Sequence, residues 1–209
     1  QEQVEVVYPG LIIEQSDDRL IEKLHLRDVK FYLVISRMVW EKGIYDILYA
    51  WKMYVKERKQ IDKKLVVIGD GKEGKNFSRL VFDLGLSDTI LIIKNIPNSQ
   101  IKQLYKYAYA FLLGSTPTRT WQEQFGYSLV DAILQNCPII STTSGAIPEV
   151  VGSAGILVPA SNPVAIKKAL LQLDDEHMYR TLKENGLKER KRFDASVYKK
   201  KLADIYELL

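Results

Sequence analysis

The chain has 209 residues, 46% of them apolar and 27% charged, with a formal net charge of +4. That is the composition of an ordinary globular protein, and the length holds one α/β domain with a full core, or at most one and a half. No apolar run approaches the roughly 18 residues of a membrane span, no signal or transit segment is read, and a lone cysteine with two distant histidines (Cys137, His25 and His177) excludes an internal disulfide and argues against a His/Cys metal site. The lone cysteine fits a reducing compartment, so a cytoplasmic location is expected. The mild positive charge leaves contact at a membrane surface open. An opening Gln1 in place of Met is expected of a piece of a longer protein.

Residues 1–27 are irregular and read as an entry arm. Residues 30–36 (KFYLVIS) form a buried-strand run, and residues 43–55 have helical spacing. The apolar run 65–68 closes on Gly69-Asp70-Gly71, and a helix is expected over 75–84. A strand at 89–93 leads to a helix at 99–107 capped by Asn98 or Ser99. A strand at 110–113, a helix at 126–135 and a strand at 139–141 follow. A short helix near 147–151 and a strand at 156–158 come next, and helices near 163–173, 175–188 and 195–208 finish the chain. Asn136 and Pro138 suit a left-handed helix end and a sharp turn into the next strand. Cys137 then reads as a small core residue. Repeated βα units with short apolar strands imply an α/β fold, a doubly wound parallel sheet with helices on both faces. Residues 28–193 form that domain in this reading, and residues 194–209 a terminal helix.

Two stretches carry chemistry. Glu123 and Asp131 stand eight positions apart around Phe125-Gly126. The first acid falls in a loop at the carboxyl edge of the sheet and the second in the following helix. Ligands bind at that edge in α/β sheets, a helix N-terminus favours phosphate, and carboxylates accept hydrogen bonds from hydroxyls. The segment suits a ligand with phosphates and sugar hydroxyls. Arg37 and Lys42 follow the first strand and open a helix at Gly43. Fixed cations there stabilise the charge that develops on a departing diphosphate. Without the acidic motif, Arg37 and Lys42 read as a solvated loop pair.

Taken in order, these motifs resemble the C-terminal, nucleotide-sugar-binding domain of family-4-type retaining glycosyltransferases (glycosyl transferases group 1), one half of a GT-B enzyme. Tyr8-Pro9-Gly10 resembles the family's entry segment, and Arg37 with Lys42-Gly43 its Arg-x4-Lys-Gly loop. Leu65 to Gly71 resembles its second strand and turn, and Glu123, Phe125-Gly126 and Asp131-Ala132 its Glu-x7-Glu motif. Ser144 to Val151 and Gly155 to Pro159 resemble the segments that follow. The resemblance implies that Arg37 and Lys42 hold the donor diphosphate, with N–H groups at Gly126 and Tyr127 completing the cradle. It implies that Glu123 binds the transferred sugar, Asp131 the ribose, and Asn95 and Ile96 the base, with Phe125 at the turn. Arg37, Lys42 and Glu123 are the candidate catalytic residues. No cofactor and no metal is expected, since Asp-x-Asp is absent and the cations replace a metal's field. The expected partners are a nucleotide-diphosphate sugar, an acceptor such as a sugar or lipid-linked sugar, and an N-terminal GT-B domain in the same or another chain toward which the terminal helix packs. Nucleic acid is not among them.

The chain departs from the family at several points. Asp131 stands where Glu is usual, Lys94 where Gly is frequent, and Leu11 where Val is common. The loop 115–122 is longer than usual, leaving Arg119 and Trp121 open between ligand contact and loop packing. Gly69 to Gly74 spells the dinucleotide G-x-G-x-x-G. The acid that fingerprint needs lies near the end of the next strand, whereas Asp88 precedes it. A glycine-rich βα turn is the better reading. Two alternatives remain beside the enzyme: a non-catalytic nucleotide-sugar-binding module with a partner chain, and an NAD-type oxidoreductase domain.

Overall fold

The computed structural model describes residues 7–10, 18–58, 61–94 and 96–207. Helix α1 (Arg19–Lys23) leads into β1 (Lys30–Ile35), α2 (Ile44–Glu57), β2 (Lys63–Ile68), α3 (Gly74–Asp83) and β3 (Ile90–Ile93). The second half runs α4 (Asn98–Tyr107), β4 (Ala110–Leu113), α5 (Tyr127–Leu134), β5 (Ile139–Thr142), α6 (Ile147–Val151) and β6 (Gly155–Val158). Helices α7 (Pro163–Leu173), α8 (Glu176–Glu189) and α9 (Ala195–Glu207) complete it. The strands form one parallel sheet in the order β3-β2-β1-β4-β5-β6.

Alternation along each strand splits the core into two layers. Phe31 and Leu33 of β1, Val66 and Ile68 of β2, and Phe111 and Leu113 of β4 face one side. There they meet Leu104 of α4, Leu129 and Ile133 of α5, and Val150 of α6. Tyr32, Val34, Leu65, Val67 and Leu112 face the other side, against Trp51 and Tyr54 of α2, Phe77 of α3 and Leu170 of α7. A sheet buried on both faces needs continuous apolar strands, and β1, β4 and β5 are buried over four consecutive residues each.

The expected elements are present, with differences at their ends. Within the segment read as an entry arm, α1 buries Leu20 and Ile21 in the core. Its five residues are too few to give a periodic signal. Helix α4 starts at Asn98, so the cap position falls on Pro97, with φ −56°, and not on Asn98 or Ser99. Proline's fixed φ suits that entry. Asn136 adopts φ +53° as its place before the turn requires. Cys137 is buried at 3% exposure, and burial pushes its thiol up to about 12, which fits a packing residue.

Candidate functional site

Strands β1 and β4 are neighbours, yet the chain leaves β1 toward β2 and leaves β4 toward β5 on the opposite side. Their outgoing connections diverge above the carboxyl edge and open a crevice, the position at which open α/β sheets take ligands. The loop after β1 carries Arg37 and Lys42. The loop after β4 carries Glu123.

Lys42 closes a single 3-10 turn (Trp40–Lys42). That turn is tied to the β4 loop by Thr116, whose N–H donates to the Glu41 carbonyl at 2.8 Å. The tie brings the two chemical groups together. Lys42 Nζ donates to Glu123 Oε2 at 2.6 Å, and Ser115 Oγ donates to the same oxygen at 2.8 Å. The Lys42 and Glu123 side chains are only 15% and 10% exposed, so neither charge is stable there alone. The Lys42 ammonium also lies 4.8 Å from the centroid of the Trp121 ring. Both hydrogen bonds on the carboxylate fall on Oε2. Among the described residues Oε1 accepts none.

The backbone of Glu123 is fixed from the other side. Ala146 N–H donates to the Glu123 carbonyl at 2.9 Å. Gly145, at φ +56°, passes so close that a Cβ would sit 2.1 Å from that oxygen. The next turn is Gly126, which holds φ +82° in the cap position of α5 without any side-chain cap. A Cβ there would lie 2.8 Å from Leu129 Cδ1. A helix start of this kind presents unpaired N–H groups and the positive dipole end at the carboxyl edge. Phe125 is half-buried, its ring 5.1 Å from Tyr127 and 6.4 Å from Tyr8, and Tyr127 is 59% exposed.

The remaining candidates stand on neighbouring elements. Arg37 is exposed, and among the described residues it forms no ion pair. Asp131 is half-buried on α5 and near Tyr105; burial drives the Tyr105 phenol well above its ordinary range, and the Asp131 carboxylate adds to the effect. Ile96 is half-buried beyond β3 and packs on the core, and Asn95 lies outside the described residues. Lys42 and Glu123 are thus brought into contact, with Gly126 three residues further along the same loop. Arg37 does not hydrogen-bond to that pair among the described residues.

The Gly69-Asp70-Gly71 turn backs the Arg37 loop. Met38 N–H donates to the Asp70 carbonyl at 2.9 Å, and Glu73 N–H to the Met38 carbonyl at 3.0 Å. A Cβ on Gly71 would lie 2.5 Å from the Met38 carbonyl oxygen. The turn's close approach serves another loop of the chain.

Ser115 and the Gly145-Ala146 clamp had no assigned role in the sequence reading. A serine after a buried strand is too common to stand out, and the clamp spans more than twenty residues. Trp121, left open there, faces the lysine. Among the described residues no group of three or more His, Cys, Asp or Glu could hold a metal ion, and no helix is long and apolar enough to cross a membrane.

Residues 16–189 match the family described as glycosyl transferases group 1. An uncharacterized glycosyltransferase of Methanocaldococcus jannaschii is 30% identical over 169 residues, covering 79% of this chain and 44% of that protein. The Anabaena protein HepE, solved in complex with UDP, superposes with a TM-score of 0.76 at 20% identity, over 92% of this chain and 52% of that one. The C-terminal domain of a glycosyl transferase group 1 protein of Francisella tularensis superposes with a TM-score of 0.69 at 24% identity, over 88% of this chain and 93% of that domain. The chain spans about half the length of the full-length relatives it matches. With five sixths of its residues inside the family match and a doubly wound sheet corresponding to one half of a GT-B fold, the chain belongs to the glycosyl transferases group 1.

Proposed function

We propose that this chain is the C-terminal, donor-binding half of a retaining glycosyltransferase, holding a nucleoside-diphosphate sugar in the crevice between the β1 and β4 loops. The observation that carries the reading is the contact of Lys42 with Glu123 at 2.6 Å, at the topological switch point and beside the uncapped start of α5. A cation, a hydroxyl acceptor and a helix N-terminus are what a sugar bonded to a diphosphate requires. That the Anabaena protein is solved with UDP and with UDP-glucose supports the same ligand class.

In this reading Arg37, Lys42 and the N–H groups of Gly126 and Tyr127 hold the diphosphate. Oε1 of Glu123 accepts from a hydroxyl of the transferred sugar. Asp131 takes the ribose hydroxyls, through water where the shorter side chain falls short. The segment at Asn95 and Ile96 lines the base. The sugar's bond to the diphosphate oxygen breaks, and a bond from the acceptor oxygen forms at the same carbon. The nucleoside diphosphate leaves, and the acceptor's proton is taken up by the departing phosphate oxygen. Charge grows on the diphosphate as its bond breaks, so cations and N–H dipoles fixed there lower the barrier. Retention of configuration rests on the resemblance. The acceptor site belongs to the other half of the cleft, toward which α9 packs.

Calorimetric titration of the chain with UDP, GDP, ADP, CDP and TDP tests the reading. Binding of one of them is expected; no binding by any would sink the donor-site assignment. Efficient sugar transfer by the 209-residue chain alone would instead sink the division of labour between two halves.

A further inference from the structure

The loop between β4 and α5 carries Trp121, half-buried against the lysine. The loop is bonded to itself at that point. Thr118 N–H donates to the Trp121 carbonyl at 2.7 Å, and Trp121 and Thr120 N–H groups donate back to Thr118 Oγ1 at 3.0 and 3.2 Å. Pro117 stiffens the turn further. At its other end the loop is bonded through Thr116 to Glu41, the residue before Lys42. Lysine and indole are therefore mounted on two segments that are hydrogen-bonded to each other.

The contact matters because of what Glu123 must do. In the free chain the carboxylate holds the ammonium. When a sugar hydroxyl and a diphosphate arrive, the carboxylate is shared with the hydroxyl and the ammonium with the phosphates. A lysine on a four-carbon stem would then have lost its guide. The face of tryptophan attracts an ammonium without using any of its three N–H donors. It keeps its hold while the hydrogen bonds are exchanged.

We propose that Trp121 is a positioning residue for Lys42, its indole face keeping the ammonium aimed at the donor diphosphate. This rests on the donor-site reading above. The test is a double-mutant cycle read by calorimetry, using whichever of the five nucleoside diphosphates the unmodified chain binds most tightly. Trp121→Leu should weaken binding about fivefold, and Trp121→Phe, which keeps an aromatic face, by less than twofold. In a Lys42→Met background Trp121→Leu should change binding by less than twofold. An equal loss in both backgrounds, or no loss with Lys42 present, would overturn the proposal. Should Trp121→Leu fail to fold, difluorotryptophan incorporated in a Trp40→Phe chain keeps the shape and depletes the ring face. Binding about twofold weaker is then expected, and unchanged binding overturns the role. A chain that binds no nucleoside diphosphate refutes the donor site and this role together. A chain that binds one without coupling between Trp121 and Lys42 refutes this role alone.

Discussion

The two edges of the sheet each hold a shielded acid bonded to a lysine that lies over an aromatic ring, and the two arrangements do different work. At the amino edge Asp174, just past α7, accepts from Tyr54 Oη at 2.9 and 3.1 Å on its two oxygens, from Lys63 Nζ at 2.9 Å, and from Arg58. Lys63 Nζ lies 5.1 Å from the Tyr109 ring centroid. Every oxygen is filled, and the acid joins the end of α2, the start of β2 and the end of α7. At the carboxyl edge Glu123 and Lys42 repeat the pair, with Trp121 in the place of Tyr109. Here the hydrogen bonds crowd onto one oxygen, the other accepts none among the described residues, and the adjoining helix has no side-chain cap. Nearby Ser36 Oγ and Ser144 Oγ are buried, and among the described residues neither has a hydrogen-bond partner. The amino-edge cluster is saturated and reads as a clasp. The carboxyl-edge cluster keeps bonding capacity that a ligand would use.

The largest effect is expected where saturation is complete. Asp174→Ala takes from Lys63, at 11% exposure, its 2.9 Å partner, leaves it only the exposed Asp62 at 3.5 Å, and strips the buried Tyr54 hydroxyl and Arg58 of their acceptor. The loss should be on the order of 3 kcal/mol, seen as a fall of roughly 6–12 °C in Tm. Nucleoside-diphosphate affinity should stay within about twofold. A large fall in affinity together with Tm would break the division between clasp and site. Glu123→Gln is the counterpart at the other edge. It should cost stability about 1–2 kcal/mol, less than Asp174→Ala, because the glutamine amide oxygen can still accept from Lys42 and Ser115 whereas alanine leaves all three donors of Asp174 without it. Affinity for the intact sugar nucleotide should drop roughly tenfold, while the free diphosphate, for which Lys42 is now released, should bind no more weakly than before. Equal losses for both ligands would remove Glu123 from the sugar contact. A third substitution, Gly126→Ala, forces a side chain into φ +82° and toward Leu129. It should cost about 1–2 kcal/mol and weaken the free diphosphate several-fold in calorimetry. Unchanged affinity at that stability cost would argue against a phosphate cradle at the start of α5.

The same contrast marks what the sequence could convey. Strands, helices and their parallel winding were readable because apolar runs and turn residues are local signals, and the Asn136 turn is a case where a single residue type carried it. The pair Lys42 and Glu123 was readable because each follows an apolar strand and carries family spacing. Their mutual contact was not, since it depends on β1 and β4 being neighbours, a property of strand order and not of either segment. The same holds for Ala146 on the Glu123 carbonyl and for Tyr54, Lys63 and Asp174, which come from three distant stretches. Proline at the entrance to α4 displaced an expected Asn or Ser cap because its backbone preference sufficed without a side-chain bond.

The smallest effects give the sharpest comparison, because each removes a single hydroxyl that donates to one of the acids. Tyr54 is 1% exposed and Ser115 is fully buried. Tyr54→Phe takes one donor from Asp174, which keeps Lys63 and Arg58. Ser115→Ala takes one from Glu123, which among the described residues keeps only Lys42. Each should cost about 1 kcal/mol in denaturant unfolding. Their ligand effects should differ. With Ser115 gone the Glu123 carboxylate is free to rotate about its last bond, so the oxygen offered to a sugar is no longer fixed, and affinity for the sugar nucleotide should fall two- to fivefold while the free diphosphate is untouched. Tyr54→Phe should leave both ligands unchanged. If the two variants lose stability alike and neither alters ligand binding, Glu123 is a second clasp, and the capacity left on its second oxygen has no use in holding a sugar.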